Sequence, residues 1–132
     1  MWRAIDGEPI GKLEGNYDSA ASLAFSPDGT HLTVGNEQGQ IEIWQVRDRT
    51  PLLKMETAQG GRILGLAYSS DGSRLASGAR DGTIGLWSAN DGKLLSSLTG
   101  HSTLACDLAF SPDGTLLATG SWDGTIRLWG VH

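Results

Sequence analysis

The stretch SPDGTLLATGSWDGTIRLWG, residues Ser111–Gly130, recurs in three related copies along this chain of 132 residues. The other two copies are Ser69–Ser88 and Ser26–Gln45. Aligned without a gap, the last two copies agree at 12 of their 20 positions, and the first and last agree at 10. Agreement at this level and in constant register indicates an internal repeat, which shared composition alone does not produce.

The tryptophans give the period of the repeat. Four of the five lie 42, 43 and 42 residues apart, at Trp2, Trp44, Trp87 and Trp129. A period of about 40–45 residues with paired turn signals is typical of the four-stranded blades of a propeller. Because one repeat cannot bury its own apolar faces, each blade is expected to stack on its neighbours.

Each repeat contains short strands separated by tight turns. In the innermost strand, apolar residues alternate with small or polar ones, which predicts one strongly buried face. The residues of that face are Ala21, Leu23 and Phe25 in the first repeat, Leu64, Leu66 and Tyr68 in the second, and Cys106, Leu108 and Phe110 in the third. Pro9 and Pro51 begin fourth strands, and since proline cannot donate to a ladder, these strands are expected at sheet edges.

The repeats divide one module, residues 1–132, into three predicted blades. Blade one is expected at 16–57, blade two at 58–99 and blade three at 100–132. Residues 1–15 align with the end of the second repeat, so they are expected to form an additional outer strand.

With this period, the Ser-Pro-Asp-Gly turns and the Gly100-His101 pair, the chain resembles the WD-repeat β-propeller family. The resemblance implies an all-β fold of three four-stranded antiparallel blades. It also implies a hydrogen-bonded set of four side chains in a blade, matched in the third blade by His101, Thr119, Asp123 and Trp129. The second blade keeps Ser77, Asp81 and Trp87, with Gln59 in place of the histidine. The first keeps only Trp44, with Asn16, Val34 and Gln38 at the other three positions, and the family's Trp-Asp ending is absent from all three.

Three blades are too few for a closed ring, because propellers have at least four. The chain runs through a whole number of periods and opens with an outer strand near Ile10–Glu14. We expect this strand to complete the last blade of a second copy, which gives a six-bladed homodimer. A nine-bladed homotrimer is the alternative, and a fragment of a longer chain or a designed half-propeller would show the same pattern.

The polar set of the third blade has two interpretations. His101, Thr119 and Asp123 could be read as a hydrolytic triad. A buried polar network whose members satisfy one another explains the same residues more simply. A triad also needs an exposed nucleophile in a pocket, and the sequence signals neither, so no catalytic residue is predicted.

No cofactor or metal is predicted either. His31, His101 and His132 lie at unlike repeat positions and lack the spacing of metal ligands. Asp28, Asp71 and Asp113 recur as turn residues, each with its own glycine. Cys106, the single cysteine, is interpreted as a small packed hydrophobe, and alone it cannot form an internal disulfide.

The charge limits the classes of partner. The net charge is −5 and no run of Lys or Arg occurs, so duplex nucleic acid is not expected as a partner. No apolar stretch approaches the roughly 20 residues of a membrane span, and no basic-then-apolar signal pattern opens the chain. A cytoplasmic location is expected.

The leading interpretation of function is a non-catalytic scaffold for protein–protein interaction. The alternatives are a small-molecule or catalytic site in the propeller channel and a purely structural piece. The family resemblance implies partner contacts at three positions of each repeat, which here are Glu37, Arg80, Trp122, Ser19, Ala21, Arg62, Leu64, Leu104 and Cys106. Trp122 and Arg80 are residue types enriched at binding hot spots.

Overall fold

The structure is a computed structural model and describes residues 20–57, 59 and 61–131. In this part of the chain the backbone forms eleven strands. They are β1 Ala20–Phe25, β2 His31–Asn36, β3 Gln40–Gln45, β4 Thr50–Glu56, β5 Ile63–Tyr68, β6 Arg74–Ala79, β7 Ile84–Ser88, β8 Leu94–Leu98, β9 Ala105–Phe110, β10 Leu116–Ser121 and β11 Ile126–Gly130. Each strand of a repeat therefore recurs at the spacing of the tryptophans.

The strands form three antiparallel sheets in which sequence neighbours pair. Blade one is β1-β2-β3-β4, blade two is β5-β6-β7-β8, and the described part of blade three is β9-β10-β11. The predicted all-β fold with four-stranded antiparallel sheets is confirmed in blades one and two. The outer strand predicted near Ile10–Glu14 lies outside the described residues, and so does Pro9. In blade one, β4 carries Pro51 and is the outermost strand, as its missing N–H donor requires.

The turns divide the blades into two ends. The end called the rim here carries the second turn of each blade, at Glu37–Gly39, Arg80–Gly82 and Trp122–Gly124. The end called the base carries the first turn of each blade, at Ser26–Gly29, Ser69–Gly72 and Ser111–Gly114. Because neighbouring strands run antiparallel, each inner strand starts at the rim and ends at the base.

Each base turn is built around one aspartate. In blade one, Asp28 Oδ1 accepts hydrogen bonds from the Thr30 backbone N–H at 3.0 Å and from the Ser26 hydroxyl at 2.7 Å. Glycine follows with a positive φ of 74° at Gly29, which a side chain rarely adopts. These bonds to the ionised carboxylate, led by the one from Thr30, lower the pKa of Asp28 to about 2. Asp71 and Asp113 have the same bonds, and their pKa values are also lowered to about 2.

We predict that the chain loses stability in acid over a defined range. Since the pKa values of Asp28, Asp71 and Asp113 lie below the ordinary 3.8, their contribution is complete above pH 4 and is lost as the pH falls toward 2. Urea denaturation at pH 7, 4 and 3 checks this. Asparagine at all three positions keeps the Oδ1 acceptor but removes the titrating charge, so the triple variant is expected to show a flatter dependence. An equally steep loss in that variant would refute the assignment.

The blades pack face to face through two apolar cores. Between blades one and two, Ile41 and Ile43 of β3 pack with Leu66 and Tyr68 of β5. Between blades two and three, the equivalent residues Ile84, Leu86, Leu108 and Phe110 form the second core, together with Ala105 and Leu117. The same strand positions therefore build both interfaces.

The expectation of a buried inner-strand face is wrong for blade one. Leu23 and Phe25 are 63% and 59% exposed, whereas their equivalents in the other two blades are packed against a neighbouring blade. The physical reason is that burial of this face requires a preceding blade. No preceding blade is present among the described residues.

Candidate functional site

The rim brings together most of the residues expected to contact a partner. Trp122 is 77% exposed, and Arg80 at the equivalent position of blade two is also exposed. A backbone hydrogen bond from Arg80 N–H to the Arg62 carbonyl, at 3.0 Å, joins the rim turn to the start of β5. In blade three, the Trp122 N–H is 3.4 Å from the Leu104 carbonyl in the same arrangement. The rim turns are thus held beside the starts of the inner strands.

Charged side chains cross from blade one to blade two on the rim. Glu37 forms an ion pair with Arg62, and both side chains are partly exposed. Arg80 lies over Gly61, since a Cβ added at Gly61 would stand 3.6 Å from the Arg80 Cβ. The remaining expected contacts, Ala21, Leu64, Leu104 and Cys106, are half-buried, and Ser19 lies outside the described residues. The exposed part of the rim therefore presents an indole, a guanidinium and an ion pair.

The polar set of blade three is a connected chain of hydrogen bonds. Trp129 Nε1–H donates to Thr119 Oγ1 at 2.9 Å. Thr119 Oγ1 lies 2.7 Å from His101 Nε2, and His101 Nδ1 lies 3.0 Å from Asp123 Oδ2. The members of this hydrogen-bonded set are all paired when His101 Nδ1–H donates to Asp123 and Nε2 accepts from the Thr119 hydroxyl. The set ties the loop before β9 to β10 and β11.

These hydrogen bonds hold the blade together, and they do not present a nucleophile to a substrate. Thr119 is 1% exposed, and its hydroxyl already donates to His101 and accepts from Trp129. A nucleophile must reach a substrate, and this one is enclosed. The Thr125 hydroxyl and backbone N–H hold the pKa of Asp123 well below its usual range, so the carboxylate acts as a fixed acceptor.

Blade two achieves the same linkage with an amide. The Ser77 hydroxyl donates to Gln59 Oε1 at 2.7 Å and accepts from Trp87 Nε1–H at 2.8 Å. Gln59 Nε2 in turn donates to the Thr83 carbonyl at 2.9 Å. Gln59 therefore occupies the role of His101. Asp81 accepts from the Thr83 backbone and hydroxyl, so it organises its own turn.

Blade one uses a different network, which sequence reasoning missed. Asn36 Oδ1 accepts from the backbone N–H groups of Gln38 and Gln40, and its amide donates to the Gln40 side chain at 2.9 Å. Thr33, which is fully buried, shares a hydrogen bond with the Tyr68 hydroxyl of blade two. The signal for Thr33 was present, because the equivalent residues in the other blades are alanines and a buried threonine needs a partner.

Two apolar faces lie open at the ends of the stack. The leading face is formed by Leu23 and Phe25 of blade one, described above. The trailing face is formed by Ile126 and Leu128 of β11, which are 81% and 70% exposed. Their equivalents Ile84 and Leu86 are buried against blade three. The trailing face therefore repeats a surface that binds a blade elsewhere in this chain.

A recurring glycine marks the same interface. A Cβ added at Gly35 would meet Ile63 of the next blade at 2.6 Å, and one added at Gly78 would meet the Ala105 carbonyl at 2.4 Å. At the equivalent Gly120 the nearest atom belongs to its own blade, at 3.7 Å. Gly120 thus leaves room for a neighbouring blade. The spacing of the three glycines was a signal in the sequence that pointed to these close approaches.

Among the described residues, no group of three or more His, Cys, Asp or Glu side chains is placed to hold a metal ion. The described part of the chain also has no helix long and apolar enough to cross a membrane.

Two family models match the chain. The model described as WD domain, G-beta repeat, matches residues 7–45 and 92–130. The model described as Anaphase-promoting complex subunit 4 WD40 domain matches residues 42–106.

Curated relatives match over short segments. Periodic tryptophan protein 2 of Saccharomyces cerevisiae is 43% identical over 35 residues, which is 26% of this chain and 4% of that protein. Angio-associated migratory cell protein of Homo sapiens is 32% identical over 56 residues, 42% of this chain and 13% of that protein.

Solved structures match over nearly the whole chain. A chain in the crystal structure of the mitotic checkpoint complex has a TM-score of 0.88 and 30% identity, covering 99% of this chain and 41% of its own length. The crystal structure of RRP9 WD40 repeats has a TM-score of 0.84 and 31% identity, covering 90% of this chain and 37% of its own. This chain thus spans about two fifths of these solved chains and a smaller share of the curated relatives.

Proposed function

The chain belongs to the WD-repeat family, and we propose that it is a non-catalytic protein-interaction scaffold whose propeller is completed by a second copy of itself. WD40 repeats generally mediate protein–protein interaction in scaffolds. The similar structures are WD40 propellers, one of them within a multiprotein complex. The single observation that carries the proposal is the pair of open apolar faces at the two ends of the stack.

The two faces are complementary because they repeat the two sides of a closed interface. Between blades two and three, Ile84 and Leu86 meet Leu108 and Phe110 in one apolar core. The trailing face has an isoleucine and a leucine at the positions of Ile84 and Leu86. The leading face has a leucine and a phenylalanine at the positions of Leu108 and Phe110. One copy's trailing face therefore suits another copy's leading face. Two copies joined twice in this way form a closed six-bladed ring, and three form a nine-bladed one.

The edge of β11 supports the same assembly. In blade two the corresponding strand β7 pairs with β8, whereas among the described residues β11 pairs only with β10. An unpaired strand edge is a template for pairing with another chain. We assign this role to the N-terminal strand, near residues 10–14, of the second copy.

Removing residues 1–14 is expected to abolish the homodimer and to lower the unfolding temperature, since the truncated chain can no longer complete the partner's last blade. Light scattering and thermal unfolding measure the two effects. Replacing residues 1–8, which precede the strand that Pro9 begins, by an unrelated sequence of the same length is the control and should preserve both. A truncated chain that still dimerises with unchanged stability would contradict the exchange of this strand.

We propose the rim as the surface that binds a further protein. Trp122 and Arg80 are the exposed members of the rim whose types are enriched at energetic hot spots. Because Trp122 is largely exposed, it does not need a folding role. A reducing, cytoplasmic setting without nucleic acid or membrane contact stays part of the proposal, and the net charge of −5 and single cysteine fit it.

Trp122→Ala and Arg80→Ala are expected to leave the unfolding temperature nearly unchanged and to reduce retention of the partner that the unmodified chain captures. Surface substitutions of this kind change stability by about 0.5 kcal/mol or less, whereas loss of a hot spot costs about 2 kcal/mol or more of binding energy. Affinity capture with quantitative mass spectrometry measures retention. Thr115→Ala, an exposed change at the base, is the matched control. If Trp122→Ala unfolds the chain, the residue is structural and the rim assignment fails.

A further inference from the structure

A large pocket opens at the base between blades one and two. Its volume is about 800 Å³. Its lining is mixed: Ile43 and Leu53 contribute apolar surface, and Asp28, Tyr68 and Asp71 contribute polar groups. A concave site that combines apolar surface with placed polar groups is a common form of ligand pocket.

The second interface shows why this pocket is open. At the base between blades two and three, the equivalent space consists of two smaller cavities of about 430 and 270 Å³. Arg74 lines both of them. The residue equivalent to Arg74 in blade one is His31, whose side chain is shorter. At the second interface, Arg74 therefore occupies the position that the shorter His31 has at the first interface, where the larger pocket lies.

Two further differences widen the first pocket. Val131, which is buried and lines the larger of the two cavities, is replaced at the first interface by Ala89. The Ser70 hydroxyl donates to the Pro112 carbonyl at 2.7 Å and draws the base turns of blades two and three together. Pro27 stands at the equivalent position of blade one and has no hydroxyl to donate. The enlarged space therefore follows from the sequence differences between repeats.

The charge around the pocket is complementary to a cation. Asp28 and Asp71 come from neighbouring blades, and in each the hydrogen bonds of the turn converge on Oδ1. Their low pKa values keep both carboxylates ionised at neutral pH. Of the described residues that line the pocket, none is Lys or Arg. The hydrogen bond from the Ser73 backbone N–H is the largest cause of the lowered pKa of Asp71, and the charge of Arg74 adds a smaller effect.

We propose that the pocket between blades one and two binds an arginine side chain presented by a partner polypeptide. Its aliphatic stem packs on Ile43 and Leu53, and its guanidinium lies between Asp28 and Asp71. Arginine is preferred over lysine because the planar guanidinium pairs with carboxylates through several N–H donors at once. The pocket lies within blades one and two, away from the rim and from both open faces. Its test is therefore independent of the ring assembly and of the rim.

Amide chemical shifts of the ¹⁵N-labelled full chain, titrated with N-acetyl-arginine amide, test this proposal. We expect saturable shifts at Asp28, Asp71 and Asn90, with a dissociation constant on the order of 1 mM, as expected for so small a ligand. N-acetyl-citrulline amide has nearly the same shape without the charge, and we expect it to bind at least about tenfold more weakly.

Three variants locate the binding. Ala89→Val and His31→Arg reproduce the second interface. Ala89→Val is expected to weaken N-acetyl-arginine amide slightly, and His31→Arg, which adds a competing cation beside Asp28, at least about tenfold. Asp28→Asn keeps the Oδ1 acceptor and removes the charge, with the same expected effect as His31→Arg. Asp113→Asn, the equivalent change in blade three, is the control and should leave binding unchanged. Circular dichroism establishes that each variant is folded.

Any one of the following results would overturn the proposal. They are the absence of saturable shifts in the unmodified chain, equal binding of the citrulline compound, and unchanged binding in folded His31→Arg. Shifts confined to residues of the rim would place the arginine elsewhere and would also refute it.

Discussion

Replacing both Ile126 and Leu128 by aspartate is expected to convert the homodimer into a monomer. Each of these side chains would contribute about 1.5–3 kcal/mol when buried against the leading face of a second copy. The ring makes this contact twice, so the dissociation constant is expected to rise by roughly 10⁴-fold or more, before the cost of burying the new carboxylates is counted. Light scattering across a dilution series measures the change.

A matched control distinguishes the loss of the trailing face from the effect of adding two charges elsewhere on the surface. Leu94 and Leu95 on β8 are 51% and 54% exposed, but they belong to the outermost strand of blade two. Aspartate at both positions should leave the homodimer intact. If the β8 variant dissociates as readily as the β11 variant, or if neither dissociates, the trailing face is not the interface.

The second large effect is expected within blade three. Thr119→Val removes the hydroxyl that bridges His101 and Trp129, and it leaves a ring nitrogen of the buried His101 and of the half-buried Trp129 without its partner. Leaving buried polar groups unsatisfied costs about 1–3 kcal/mol for each group. We therefore expect a loss of about 2–3 kcal/mol in the free energy of unfolding, measured by urea denaturation.

Valine at position 119 tests the hydrogen bonds and not the packing, because blade one already has a valine at the equivalent position. Val34 occupies the equivalent position and is buried there. It leaves no polar partner unpaired, because blade one has neither the histidine nor the aspartate of the hydrogen-bonded set. Gln38→Ala, at the position equivalent to Asp123, is the control and should cost less than about 0.5 kcal/mol. Equal losses for Thr119→Val and Gln38→Ala would show that the polar set does not stabilise blade three.

The strand order could be read from the sequence because turn chemistry repeats with the period. Aspartate–glycine pairs recur in the base turn of every blade and in the rim turns of blades two and three, and Pro51 marks an outermost strand. Such signals are local, so they predict strands and turns whatever surrounds them. The exposure of Leu23 and Phe25 could not be read in this way. An alternating apolar pattern requires a covering surface, but it does not say which part of which chain provides it.

Other features escaped the sequence because they depend on atoms from two blades. The bond between Thr33 and Tyr68 joins residues of different repeats, which no single-repeat pattern places together. Gln59 was recognised only as a departure from histidine, although an amide can both accept from Ser77 and donate to a carbonyl. The basal pocket results from small changes, such as Ala89 in place of valine, whose effect appears only when neighbouring blades are compared.

The mass of the full chain in solution tests the central claim most directly. Light scattering coupled to size-exclusion chromatography gives this mass without reference to shape. A completed ring of two copies predicts about 28 kDa, twice the 14.0 kDa of one chain. A soluble, well-folded species of 14.0 kDa would contradict the homodimer.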